Sequence, residues 1–152
     1  MSKTTPDNRL QAPQGEFTLQ RLPQRRRELL RAWDAADEYL LQQVAEQMHP
    51  TGDARLLIVN DAFGALAVAL AAWRPQAWSD SWLSQAATRL NLVANGLDEG
   101  QVTLVDSLQQ PAGPLDLVLI KVPKTLALLE DQLIRLRPLL APDTRVIVAG
   151  MV

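Results

Sequence analysis

The chain has 152 residues, 47% of them apolar and 21% charged, with a formal net charge of −2. Those values fit one globular domain that buries its own core, and they exclude a disordered or membrane-spanning chain. With no cysteine and one histidine, disulfides, thiol chemistry and a self-contained zinc site are excluded, and the charge gives no overall pull toward nucleic acid.

In chain order, residues 1–24 read as a flexible arm. Its first fourteen residues are polar, without the apolar core of a signal peptide, so the cytoplasm is the expected location. The alternation of Phe17 and Leu19, with Leu22 nearby, suggests a short strand added to a sheet edge before Pro23 ends it. The folded domain is expected over 25–152. Across 26–48, Leu30, Trp33, Leu40, Val44 and Met48 share one helical face opposite Glu28, Asp34, Glu38 and Gln42, and Pro50 and Gly52 stop the helix.

The period then changes. Residues 55–60 (RLLIVN) form a short apolar run of the kind buried on both faces of a parallel sheet. A turn over 61–66 leads into a helix over 65–73 that ends before Pro75. The apolar run 62–73 is too short to cross a bilayer, which takes roughly 20 residues. A weak strand over 77–79 precedes a helix over 82–95, with Gly96 placed to terminate it. Strands follow at 102–105 and 115–121, separated by a Pro/Gly-rich link that cannot be a helix. Leu126, Leu129, Leu133, Leu136 and Leu140 mark another helix, broken near Pro138 and Pro142, and 144–149 makes the last strand.

Alternating strand and helix predicts an α/β, Rossmann-like fold: a parallel sheet with helices on both faces and right-handed crossovers. In strand order 3-2-1-4-5, the link 106–114 must cross two strands, about 20 Å, which nine extended residues just manage. Ligands of such sheets bind at the carboxyl ends of the strands, where the order reverses. That places any chemistry at 60–66, Asp80, Asp106 and 121–124.

Each position has a functional and a plain reading. A cofactor loop needs glycines so that the backbone can turn and approach its ligand. In the frame of class I S-adenosylmethionine-dependent methyltransferases, an acid followed by Gly-x-Gly-x-Gly, this loop reads Asn60-Asp61-Ala62-Phe63-Gly64-Ala65-Leu66. Asn60 replaces the acid, only Gly64 survives, and Phe63 and Leu66 would crowd the methionine end of the cofactor. A closed or vestigial pocket is expected. Asp80 either holds a ribose hydroxyl or caps the next helix. Asp106 sits at the adenine side or simply turns the chain.

After the fourth strand, amino-directed methyltransferases carry Asn-Pro-Pro-aromatic, whose amide accepts a hydrogen bond from the target amine. Here the sequence is Lys121-Val122-Pro123-Lys124. A lysine cannot accept, and no ring is available to stack on a base, so no catalytic residue is assigned. Lys121 and Lys124 could instead meet phosphate beside a helix N-terminus capped by Thr125, or be plainly solvated. Arg25, Arg26 and Arg27, with Arg31, are the densest positive cluster, open to the same two readings.

The stretches AWDAADEYLLQQ, NDAFGALA and LIKVPKTLALLE resemble the N-terminal domain of the bacterial 23S ribosomal RNA guanine-N2 methyltransferases of the RlmG/RsmC family. The resemblance implies a duplicated methyltransferase fold, of which this chain would be the degenerate copy, ending after strand five without the final helix and strand pair. It implies a non-catalytic RNA-recognition domain, with protein-free 23S RNA and a catalytic C-terminal half of the same polypeptide as partners. S-adenosylmethionine would be bound by that half, leaving Asn60, Gly64, Asp80 and Asp106 as vestigial cofactor positions. Retained cofactor affinity and a purely scaffolding role are the alternatives. No metal is expected.

Overall fold

The computed structural model describes residues 8–24, 30–47 and 53–151. Near the N-terminus, β1 (Arg9–Ala12) and β2 (Gly15–Thr18) pair with each other in an antiparallel hairpin. The alternation that suggested a strand on the main sheet belongs to this separate ribbon. Leu10 and Leu19 are each 1% exposed and enter the main core, which contributes about 2 kcal/mol apiece.

The first helix, α1 (Ala35–Gln47), is shorter than its sequence period suggested. Asp34 and Asp37 explain the late start: each carboxylate accepts the other's backbone N–H at 3.0 Å, a reciprocal cap that sets the first turn. Leu30, expected on the buried face, is 62% exposed, while Trp33, Leu40 and Val44 are buried. Residues 25–29 and 48–52, including Met48 and His49, lie outside the described residues.

The main sheet contains β3 (Leu56–Val59), β4 (Gln76–Trp78), β5 (Thr103–Val105), β6 (Leu115–Lys121) and β7 (Leu140–Ala149), all parallel, in the order β5-β4-β3-β6-β7. This is the expected 3-2-1-4-5 order, with the switch point between β3 and β6. The last strand starts earlier than expected: Leu140 and Pro142 belong to it, and proline is tolerated because β7 is an edge with a register shift near its start.

On one face of the sheet, α1, α2 (Ala65–Ala69) and α3 (Trp82–Ala94) join the hairpin over a large apolar core that includes Leu40, Leu41, Ile58, Leu66, Leu70 and Leu117. The other face is thinner. Among the described residues, α4 (Leu126–Leu136) alone covers it, over Leu57, Val59, Trp78 and Ile120. No helix forms between β5 and β6; Arg135 spans the gap, stacking 4.7 Å from the Trp78 ring and donating to the carbonyls of Ser107 and Gln109 at 3.1 and 2.7 Å.

The expected leucine ridge of α4 is only partly buried. Leu136 is covered, but Leu126 is 73% and Leu133 44% exposed, and Gln132 is buried between them. The reason lies at the switch point, where Gln132 has a polar partner.

Candidate functional site

The carboxyl ends of β3 and β6 form this region. Asn60 follows β3 in a left-handed conformation, φ +67°, which asparagine tolerates better than other side chains. Its amide donates to the Lys121 carbonyl and to Gln132 Oε1, both at 2.9 Å, and receives the Gln132 amide at 2.8 Å. Where a cofactor loop would carry an acid facing its ligand, Asn60 clasps the sheet to α4.

The loop is filled from within. Asp61 is buried, and its Oδ2 accepts the Ala67 N–H at 2.9 Å across the start of α2. Burial pushes its carboxyl up from the usual range, opposed by N–H groups from the loop and by Lys121. Its Oδ1 has no hydrogen-bond partner among the described residues. Gly64 keeps φ +91°, and a Cβ there would lie 2.8 Å from the Thr88 Cα of α3. The surviving glycine therefore serves a close helix contact, not an approach to a ligand. Leu66 lies in the core, and Phe63 is half-buried beneath the Arg21 guanidinium, 4.8 Å from its ring centre.

A strap of residues 18–21 crosses this loop. From α3, Asn91 accepts the Gln20 N–H at 2.9 Å and donates to the carbonyls of Gln20 and Phe63 at 2.9 and 2.8 Å. One turn on, Asn95 makes the same paired exchange with Thr18 at 2.9 and 2.7 Å. Two asparagines on a helix thus imitate a strand partner for the hairpin's exit.

Lys121 points inward. Its side chain is 10% exposed, and Nζ lies 3.0 Å from Asp37 Oδ1 and 3.2 Å from Asp34 Oδ2. This corrects the expectation that it faces phosphate: the ammonium is held inside the protein by α1. Burial pushes the Asp37 carboxyl up to about 7, with Asp61 adding to the rise and Lys121 opposing it. Asp34 is held below the usual range despite partial burial, by its N–H bond from Asp37 and by Lys121. Lys121 is lowered by burial, but the three carboxylates together raise it above the ordinary lysine value.

The remaining sequence-predicted positions do not converge. Asp80 is exposed, and Ser81, not Asp80, caps α3 through the Ser84 N–H at 3.1 Å. Asp106 is exposed and turns the chain, accepting the Leu108 N–H at 2.9 Å. Between them, Gln85 donates to the carbonyls of Val105 and Ser79 at 2.9 and 3.3 Å, bridging the ends of β5 and β4. Lys124 is exposed, and Thr125 caps α4 as expected. Arg25, Arg26 and Arg27 lie outside the described residues; Arg31 pairs with Glu38 at 3.7 Å. Trp82, at the start of α3, is 76% exposed.

A groove of about 750 Å³ remains beside the switch point, walled by Asp34, Asn60, Ala62, Val122 and Met151. It does not reach Gly64, Asp80 or Asp106. The residues present do not fit S-adenosylmethionine: the loop's polar groups are turned inward, its glycine is taken up by α3, and the acid at the ribose position stands apart. Among the described residues, no acidic or histidine cluster could hold a metal, and no helix is long and apolar enough to cross a membrane.

Comparison with known proteins agrees with this architecture. A family profile described as the RLMG N-terminal domain matches residues 7–152. A ribosomal RNA large subunit methyltransferase G of Streptomyces griseus is 49% identical over 149 residues, 95% of this chain and 38% of the relative. The protein of the same name from Erwinia tasmaniensis is 55% identical over 135 residues, 88% of this chain and 35% of the relative. The chain therefore spans little more than a third of these relatives. Among solved structures, a Streptococcus mutans protein described as a SAM-dependent methyltransferase superposes with a TM-score of 0.62 at 14% identity, covering 89% of this chain and 38% of that one. The ribosomal protein L11 methylase of Lactobacillus delbrueckii gives 0.62 at 20% identity, covering 80% and 65%. These two likenesses show the fold, a class I methyltransferase-like sheet.

Proposed function

The chain belongs to the RLMG N-terminal domain family, and from that premise we propose that it is the non-catalytic, RNA-recognising part of a 23S ribosomal RNA (guanine-N2) methyltransferase. S-adenosylmethionine and methyl transfer belong to the C-terminal part of the longer polypeptide. One observation carries the non-catalytic half of this reading. Lys121, where an amine-gripping asparagine would stand, has its ammonium locked onto Asp37 and Asp34. An ammonium donates but does not accept, so it cannot hold a base amine for attack.

The test has two arms. Calorimetric titration of the chain with S-adenosylmethionine gives no saturable heat, and a labelled 23S RNA fragment binds with an affinity that falls as salt rises. Micromolar cofactor binding refutes the first claim; failure to bind RNA at low salt refutes the second.

A scaffolding role for the catalytic half is the second reading, and a specific observation favours it. Leu126 and Ile134 on α4, Val146 and Val148 on the edge strand β7, and Met151 just after it are apolar side chains left exposed. Such a surface is typical of contact with further protein. Loss of activity from a full-length enzyme lacking this domain, with no RNA binding by the domain itself, selects that reading.

A further inference from the structure

At the opposite end of the sheet, where the strands begin, β3 and β4 enclose a groove of about 460 Å³ lined by Asp53, Arg55, Trp73, Arg74, Gln76 and Gly113. Resting on the RNA-recognition reading above, we propose that this groove, and not the carboxyl ends of the strands, receives the RNA sugar–phosphate backbone through Arg55 and Arg74.

Charge separates the two ends. At the carboxyl end Lys121 is committed to Asp34 and Asp37 inside the protein, and the exposed Asp80 and Asp106 follow β4 and β5. In the groove at the other end, Arg55 and Arg74 are exposed, and among the described residues neither guanidinium has an ion-pair or hydrogen-bond partner. Asp53, on the same wall, is engaged within the protein. Asp116 binds the Arg55 backbone N–H at 2.7 Å and leaves the guanidinium unengaged. Arginine presents a planar fork of donors suited to phosphate oxygens.

The backbone adds a second observation. Arg74 closes the short turn Ala71–Trp73 with φ +51° and ψ +57°. That left-handed position favours glycine, and a long side chain there is strained. The chain nevertheless places an arginine at the mouth of the groove. The facing wall is fixed: the Gln76 side chain donates to the Ala112 carbonyl and accepts its N–H, both at 2.8 Å, while a Cβ on Gly113 would lie 3.0 Å from Leu139. The wall opposite the two unpaired guanidiniums is held by its own hydrogen bonds, so only the arginine side chains need ordering when an anion binds.

The strained residue supplies its own control. Arg74→Gly relieves the left-handed strain, so the variant melts no lower than the wild type while it loses one guanidinium. A labelled 23S RNA fragment is titrated by fluorescence anisotropy across a salt series. The double variant Arg55→Ala/Arg74→Gly binds about tenfold more weakly at low salt, and its log–log salt slope falls by roughly 1.5, as two lost phosphate contacts require. Arg74→Lys keeps a charge and recovers part of the slope, and Lys124→Ala changes it less than the double variant. Unchanged affinity and slope in a folded double variant overturn this inference and leave RNA recognition standing. A wild-type chain that binds no RNA overturns both.

Discussion

Removing Lys121 tests the electrostatics of the switch point most directly. In Lys121→Met, a chain of similar length keeps the packing but withdraws the ammonium contacting Asp37, whose side chain is 1% exposed, and leaves buried Asp61 without its compensating cation. Breaking a buried ion pair from one side costs about 3–5 kcal/mol at a pH where the carboxylates must ionise. For a domain of this size that lowers Tm by on the order of 10 °C. The direction with pH follows from Asp37. Its folded value of about 7 lies above the unfolded 3.8, so the folded state retains a proton that the unfolded chain releases across that interval. The stability this supplies is full below the unfolded value and is lost as pH rises through the folded one. Without Lys121, both buried carboxyls move further up, and the loss extends to higher pH. Urea denaturation of wild type and variant at pH 5 and pH 8 therefore gives a large penalty at pH 8 that shrinks at pH 5. An equal penalty at both values, or one under about 1 kcal/mol at pH 8, refutes the account of Lys121 as the counterion of a buried acidic cluster.

Two further outcomes follow from the loop and its strap. Gly64→Ala puts a Cβ 2.8 Å from the Thr88 Cα at φ +91°, so it destabilises by roughly 2 kcal/mol or more, read as a lowered urea midpoint with unchanged slope. Asn91→Ala removes three hydrogen bonds between α3, Gln20 and Phe63. A loss of about 2–3 kcal/mol is expected, with amide exchange accelerating first at Gln20 and Leu19; protection that stays uniform across the hairpin would sink the strap's role.

How much of this was legible depends on the range of the interaction. Apolar runs such as 117–120 within 115–121 reported β6 directly, because the middle of a strand buried on both faces is uninterrupted by polar residues. The 3-2-1-4-5 order was compatible with the sequence, because the nine-residue link 106–114 can just cross two strands, and the structure has that order. Periodicity overran at α1, where a local signal was available: Asp34-x-x-Asp37 is a capping pair and marks the true start of the helix. It also overstated α4, because a leucine ridge does not reveal which leucines find a neighbour. Gln132 is buried there by its exchange with Asn60, 72 residues away, and no local pattern announces such a pair.

The site shows the same division. The sequence reports what the loop after β3 has lost, since Ala62 and Leu66 visibly replace small turn residues. It does not report what the loop has gained. Asp61 could be read only as one turn residue among several, and Asn91 and Asn95 only as polar positions on a helix. In the fold Asp61 takes the Ala67 N–H, and the two asparagines pair backbone groups of Phe63, Thr18 and Gln20. The inward turn of Lys121 has a similar origin: Asp34 at the cap of α1, Asp37 in its first turn and Asp61 in the β3–α2 loop make the interior a better place for its charge than solvent. The loop after β3 is thus filled by its own side chains. Buried polar groups must be paired whether or not a ligand is bound, so a loop that stops serving a ligand is stabilised by any nearby side chain that can take over those bonds.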